Sequence, residues 1–133
     1  MLELKHRKAW LIGGWALVMA AVVVCLIPGR ELPNTGIGDK WEHFICYGVL
    51  TTYFAGLYPR SSYWKIALAL LAMGIGIEFA QGAMKLGRSA DVRDVMANSI
   101  GIVLGLVVSW AGLGRWAQTI ASWTGRREPA RID

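Results

Sequence analysis

Ionisable and polar residues recur at helical spacing near the ends of three apolar segments in this 133-residue sequence. Asp39, His43 and Tyr47 are four residues apart, so a helix places them on one face. An aspartate one turn from a histidine can hold one ring nitrogen and leave the other for proton transfer near neutral pH. Asp39 also stands where a helix N-cap or a first-turn acid is favoured, and the sequence leaves the structural and the functional role open.

Glu78 and Gln81 form a second cluster, three residues apart. The uncharged run 66–77 precedes Glu78, which makes it the costliest acid in the chain to leave unpaired. Beside an imidazole, such a carboxylate suits general acid and base chemistry. The structural alternative is an ion pair with Arg88 or Arg93.

Asp91, Asp94 and Asn98 form the third cluster, spaced three and four apart and following Arg88. A guanidinium offers a forked pair of donors to phosphate or carboxylate, so Arg88 indicates an anion-binding site. Anchoring to lipid headgroups is the alternative for Arg88.

The sequence disfavours a metal centre. Outside the basic amino terminus there is a single histidine, and no strong ligand-spacing motif is present. Ligation by His43, Asp39, Glu78 and Asp94 stays open as an alternative, but we expect no metal and no other cofactor.

The elements that carry these clusters have the composition of membrane helices. The sequence is 55% hydrophobic and 17% charged, which is too apolar for an ordinary soluble domain of this size. Four apolar segments cover residues 9–27, 41–58, 64–83 and 92–113. At about 1.5 Å per residue, each is long enough to cross the hydrocarbon layer as a helix. We therefore predict an all-α integral membrane protein built as a bundle of four transmembrane helices.

Lysine and arginine positions predict the orientation. The amino end, the second loop and the tail hold nine of the fourteen, so both termini are expected in the cytoplasm. The basic residues form no stripe, so we expect contact with membrane lipids and no nucleic-acid partner.

The predicted domains are a membrane domain, 1–113, and a cytoplasmic tail, 114–133. Trp116, Ile120 and Trp123 predict an interfacial helix in that tail, with disorder as the alternative.

This topology brings the three polar clusters to one depth near the outer face. Charged groups inside a bilayer normally face a bundle interior, so a polar pocket is expected there. Gly101 and Gly105 continue the Asp94 and Asn98 face, and Gly48 follows Tyr47, which predicts close helix packing below the pocket.

The same residues resemble the signature of VanZ-like membrane proteins. The resemblance covers residues 39–105 and comprises an Asp-Lys-x-x-His-Phe segment from Asp39, a Glu-x-x-Gln segment from Glu78, and an arginine-to-glycine segment from Arg88 through Asp94 and Asn98 to Gly101. It implies a protein of the bacterial cell envelope, in a family named after a member linked to low-level glycopeptide (teicoplanin) resistance. It supports a site made of Asp39, His43, Glu78, Gln81, Arg88, Asp94 and Asn98.

Three functions compete at this stage. The leading hypothesis is an inner-membrane protein whose outward-facing site takes an anionic envelope molecule, such as a lipid-linked or glycan intermediate. The expected catalytic residues are His43, Glu78, Asp94 and Asp39, and the expected binding residues are Arg88, Gln81, Asn98, Tyr47 and Asp91. A noncatalytic accessory protein or scaffold of envelope assembly or antibiotic tolerance is the second reading, with a protein partner. A small transporter is the third, and whether the chain is an enzyme stays open.

Overall fold

The computed structural model describes residues 2, 4, 6–27, 38–84 and 90–124, with the backbone alone described at residues 39 and 124. Within these ranges the chain forms helices and no strand. The α-helices are α1 (Arg7–Leu26), α2 (Asp39–Leu57), α3 (Tyr63–Met84), α4 (Val92–Ala111) and α5 (Trp116–Thr124). Single 3₁₀ turns at Arg60–Ser62 and Leu113–Arg115 precede α3 and α5. The all-helical prediction is confirmed for the described residues.

Local sequence explains where the helices end. Ile27 and Tyr58 each precede a proline and adopt extended backbone with ψ of 136° and 154°, which terminates α1 and α2. Asp91 caps α4 because its Oδ1 accepts a hydrogen bond from the backbone N–H of Arg93 at 2.8 Å. Gly112 ends α4 with φ 145°, a conformation that side chains disfavour.

The inner and outer faces of α4 have the polarity expected in lipid rather than in water. Ile100, Val103 and Val107 point outward and are each more than half exposed. The opposite face buries polar and small residues: Asp94, Asn98, Gly101, Gly105 and Ser109. A helix that hides its polar face and presents its apolar face is typical of a membrane bundle.

Three helices in the described part are long and apolar enough to cross a membrane: Arg7–Leu26, Arg60–Met84 and Val92–Ala111. They match the first, third and fourth predicted crossings. The second predicted crossing forms α2, which is of similar length but carries charged residues in its first turn and lies outside this set. A fourth crossing, and the cytoplasmic location of both termini, therefore remain predictions.

The core is centred on α2, which packs most extensively on α4 and also contacts α1, α3 and α5. The central cluster contains Tyr47 and Leu50 of α2 with Ala21, Leu70 and Ile102 from the three other long helices. Close backbone approach between α2 and α4 is possible because glycines line the contact, as the sequence predicted.

The predicted tail helix forms over Trp116–Thr124 and packs against the bundle. Ala117 is fully buried beside Leu57. Trp116 stacks edge-on against Trp10 and donates its indole N–H to the carbonyl oxygen of Thr52 at 3.2 Å. The first turn of α5 is thus part of the folded core, while residues 125–133 lie outside the described residues.

Candidate functional site

His43, Glu78 and Asp94 come together at one end of the bundle. They belong to the first turns of α2, the last turns of α3 and the first turn of α4. One nitrogen or oxygen from each lies within 4.8 Å of the corresponding atoms of the other two. Their exposed fractions are 4%, 5% and 5%, so an imidazole and two carboxylates share a site largely closed to the surroundings.

Asn98 orients the imidazole. The Nδ1 atom of His43 lies 3.1 Å from Oδ1 of Asn98, and both side chains are buried. A carboxamide oxygen only accepts hydrogen bonds, so Nδ1 carries the proton and donates. This arrangement fixes the ring between α2 and α4.

The carboxylate of Glu78 is held from one side. Its Oε2 accepts a hydrogen bond of 2.9 Å from the backbone N–H of Asp91, at the start of α4. Its Oε1 is buried and has no hydrogen-bond partner among the described residues. Of the two ion-pair partners predicted for Glu78, Arg93 is exposed and makes no such pair in the described structure, and Arg88 lies outside the described residues.

Lys40 and Asp91 border the site. The Nζ atom of Lys40 lies 3.5 Å from Oδ2 of Asp91 and 3.9 Å from Oδ1 of the buried Asp94. The pKa of Asp91 is held below its usual range, first by the backbone N–H of Arg93 and then by Lys40. Sequence reasoning missed Lys40 as a site residue, although its position directly after Asp39, the first residue of the polar stripe of α2, was a usable signal.

Tyr47 and Gln81 lie at the borders of the site in different ways. Tyr47 is fully buried one turn after His43, and its hydroxyl has no hydrogen-bond partner among the described residues. Gln81 donates from Nε2 to the carbonyl oxygen of Cys25 at 2.8 Å, which satisfies a backbone acceptor in the last turn of α1. Gln81 therefore ties α3 to α1, while Tyr47 faces the interior near Asn98.

The structure thus joins most of the predicted site and leaves two residues undescribed. His43, Glu78, Asp94 and Asn98 form the centre, with Tyr47, Gln81 and Asp91 around it. Arg88 and the side chain of Asp39 lie outside the described residues, so their predicted roles stay predictions.

An apolar groove between α1 and α2 leads to the site. Its volume is about 320 Å³. Its walls are aliphatic or small along most of their length, with Glu42 and His43 at the polar end; the other lining residues are Leu17, Ala20, Ala21, Val24, Cys25, Cys46, Val49 and Leu50. Cys25 and Cys46 are free thiols. The groove has the apolar lining that a hydrocarbon chain requires and ends at the imidazole.

The assembled side chains can move protons. A neutral imidazole with one nitrogen fixed by Asn98 can accept or release a proton at the other, and two carboxylates lie within reach of it. The same three groups are also chemically able to ligate a divalent cation.

Comparison with known proteins gives one positive result. The family model described as VanZ/LLP1 matches residues 9–113, which include nearly all of α1, the whole of α2 to α4 and every residue of the site. No curated protein and no solved structure matches the chain.

Proposed function

Since the chain belongs to the VanZ/LLP1 family of membrane proteins, we propose that it is a multi-pass protein of the bacterial cytoplasmic membrane whose buried cluster acts on an anionic, lipid-linked molecule of the cell envelope. The observation that carries the proposal is the convergence of His43, Glu78 and Asp94 within 4.8 Å inside an otherwise apolar bundle. Burying such groups among membrane helices costs free energy, and the usual compensation is function.

The groove between α1 and α2 supports a lipid-linked substrate. It offers an apolar wall for an acyl or prenyl chain and ends at His43, so a lipid lying in it would place its headgroup at the polar cluster. Pockets for small ligands commonly combine an apolar lining with a few polar groups at one end.

The distribution of positive charge supports an outward-facing site. The amino terminus, the loop after α2 and the tail carry most of the lysine and arginine. Their basic residues within the described ranges lie at the end opposite to the cluster: Arg7, Lys8, Arg60, Lys65 and Arg115. On this assignment the cluster lies beneath the outer surface, where envelope precursors are processed.

The proposed division of labour follows the contacts. His43 transfers a proton through Nε2, because Asn98 engages Nδ1. Glu78 and Asp94 accept or return that proton and stabilise the imidazolium form. As the sequence predicts, Arg88 would bind the anion, and Asp39, at the start of α2, would support the imidazole.

The test is to incubate purified protein in lipid nanodiscs with a lipid extract of bacterial envelopes and follow the extract by mass spectrometry. We expect wild type to bind an anionic lipid-linked species and convert it, and we expect Glu78→Gln and His43→Gln to bind without conversion. The control is Thr51→Val, which removes a fully buried hydroxyl from α2 two turns from His43 and should retain conversion. Conversion by the Glu78→Gln variant at the wild-type rate would refute the acid–base assignment.

A noncatalytic accessory role is the second candidate, and one observation favours it. The hydrogen bond between His43 and Asn98 joins α2 to α4. At the same end of the bundle, the hydrogen bond from the backbone N–H of Asp91 to Glu78 joins α3 to the start of α4. Such bonds can serve to lock the bundle while its surface binds an envelope-assembly protein. In that case the Glu78→Gln and His43→Gln variants would fail to accumulate in cells, whereas Thr51→Val would accumulate normally.

Transport is less well supported. In the opposite half of the bundle, the buried hydroxyls of Thr51 and Ser109 donate to carbonyl oxygens of their own helices, at 2.7 and 2.6 Å. They provide no polar path in the described residues that continues from the cluster through the protein. Labelling of cysteines introduced at these two positions by a water-soluble reagent would favour transport.

A further inference from the structure

The buried cluster is acidic at its centre, which is unsuited to direct contact with an anion. Glu78 and Asp94 are each only 5% exposed, and Lys40, whose Nζ lies 3.9 Å from Asp94, is itself half exposed. Two close carboxylates repel each other and any anionic headgroup unless a positive charge lies between them. Among the described residues, the charge of the centre therefore favours a cation.

The geometry fits a metal ion. Ligand atoms of His43, Glu78 and Asp94 lie within 4.8 Å of one another. A divalent cation with ligands at roughly 2.0 to 2.5 Å separates them by at most about 4 to 5 Å, so small side-chain movements would close the three groups on a common ion. Each comes from a different helix, so the helical framework fixes their relative positions.

The surrounding bonds have the form seen around metal ligands. A ligating histidine usually donates its other ring N–H to an oxygen, as His43 does to Asn98. A ligating carboxylate is usually hydrogen-bonded on its second oxygen, as Glu78 is to the backbone N–H of Asp91. These contacts orient Nε2 of the histidine and Oε1 of the glutamate for ligation.

Two buried oxygens independently indicate a polar occupant. Glu78 Oε1 and the hydroxyl of Tyr47 have no hydrogen-bond partner among the described residues, although both are sealed from the surroundings. Buried polar atoms of this kind are rare in folded proteins because each unsatisfied group costs free energy. A metal ion with its water ligands would satisfy both.

We infer that His43, Glu78 and Asp94 bind a divalent transition-metal cation, which supplies the positive charge through which the site holds an anionic molecule. One imidazole and two carboxylates suit Zn²⁺ or Mn²⁺, while three protein ligands leave coordination positions for water and for an oxygen of the ligand. The part concerning the anionic molecule rests on the proposed function. Metal binding itself does not, and it assigns Nε2 of His43 to the ion in place of the proton transfer proposed above.

The test uses Zn²⁺ alone as the probe. Full-length protein in detergent is treated with a chelator, dialysed and titrated with Zn²⁺ by isothermal titration calorimetry. We expect saturable binding of one ion per chain, and a loss of affinity of at least about a hundredfold in Glu78→Gln and in Asp94→Asn, because changes even outside the ligand set cost tenfold or more. Thr51→Val is the control: it removes a fully buried hydroxyl from α2 two turns from His43 and should alter affinity only a few-fold.

A second measurement does not depend on any variant folding. Co²⁺ added to stripped wild-type protein should give a visible absorption spectrum distinct from that of the hydrated ion, and Zn²⁺ should abolish it. Absence of saturable Zn²⁺ binding, a hydrated-ion spectrum, or wild-type affinity in Glu78→Gln would each overturn the metal site.

The two proposals fail differently. The experiment measures how much long-chain prenyl phosphate is retained by nanodiscs containing the protein, before and after chelation. Phosphatidylcholine serves as the zwitterionic comparison. Loss of retention on chelation, restored by Zn²⁺, supports both proposals. Retention that is unaffected by chelation overturns the metal's role and leaves the proposed function standing. Zn²⁺ binding without selective retention supports the metal site and counts against the anionic lipid.

Discussion

Replacing Gly101 with alanine should force α2 and α4 apart. A β-carbon at Gly101 would meet the carbonyl oxygen of Phe44 and lie 3.1 Å from the amide nitrogen of Gly48, both backbone atoms that cannot rotate away. At Gly105, one turn further along α4, the added carbon would lie 2.8 Å from the carbonyl oxygen of Gly48. Ordinary contact begins at 3.4 Å, so the helices would have to separate by about 0.6 Å at Gly105 and by more at Gly101.

The expected change in the free energy of unfolding is the sum of two opposing effects. Overpacking a well-packed contact by one carbon costs about 1–3 kcal/mol. Alanine recovers up to ~1 kcal/mol because it is the better helix former. At Gly101 the first effect should dominate and reduce stability by about 1–2 kcal/mol. At Gly48 the added carbon would lie 3.5 Å from the carbonyl oxygen of Gly101, an ordinary contact, so Gly48→Ala should be neutral or mildly stabilising.

The separation should also reach the site. The hydrogen bond between His43 and Asn98 crosses the same helix pair at 3.1 Å, so parting the helices by more than half an ångström would stretch it beyond a good hydrogen bond. Gly101→Ala should therefore weaken Zn²⁺ binding, while Gly48→Ala should preserve it.

Unfolding in one fixed detergent, followed by tryptophan fluorescence, measures the stability difference. Gly76→Ala serves as the control for helix propensity, because no described atom lies within 4 Å of its added carbon. We expect Gly101→Ala to be the least stable of the three alanine variants. Equal stability of Gly101→Ala and Gly48→Ala would refute the close-contact reasoning.

Three further predictions concern single features of the fold. Gly112→Ala should destabilise by about 1–3 kcal/mol in the same unfolding assay, because its φ of 145° strains a side chain although no described atom crowds it. Tyr53→Phe should lose about 1 kcal/mol, since the tyrosine hydroxyl donates to the carbonyl oxygen of Trp10 at 2.8 Å; an unchanged midpoint would show that bond to be dispensable. Wild type should be more stable than Asp91→Ala, because the backbone N–H of Arg93 binds the Asp91 carboxylate in the folded state and lowers its pKa. This difference in stability should be complete above the usual pKa of an aspartate. It should fade as the pH falls through the lowered pKa of the folded state.

Residue spacing was sufficient to predict the centre of the site. Consecutive helices joined by short connections run antiparallel, so the start of α2, the end of α3 and the start of α4 share one end of the bundle. Polar residues at those three positions had to meet or face lipid, and facing lipid is costly. His43, Glu78 and Asp94 could be identified as neighbours on this ground alone.

The partners of each side chain could not be predicted in the same way. Asp39 and Asn98 are both plausible supports for His43, and only the rotation of α4 about its axis brings Asn98 to the ring. Gln81 bonds to a backbone carbonyl of α1, a choice that depends on how far α1 extends alongside α3. Asp91 acts as a cap and accepts from Arg93, a role that its spacing from Asp94 does not reveal.

The limited apolarity of α2 has a structural explanation that also links stability to function. Tyr47 and Thr51 are fully buried against protein, so α2 depends on its neighbours rather than on lipid to accommodate its polar side chains. The neighbour that contacts it most, α4, approaches closely through Gly101 and Gly105, and the same approach sets the distance between His43 and Asn98. The close contacts that pack α2 against α4 are therefore the same contacts that position His43. Substitutions in this contact should lower stability and site function together, whereas Gly112→Ala should lower stability alone.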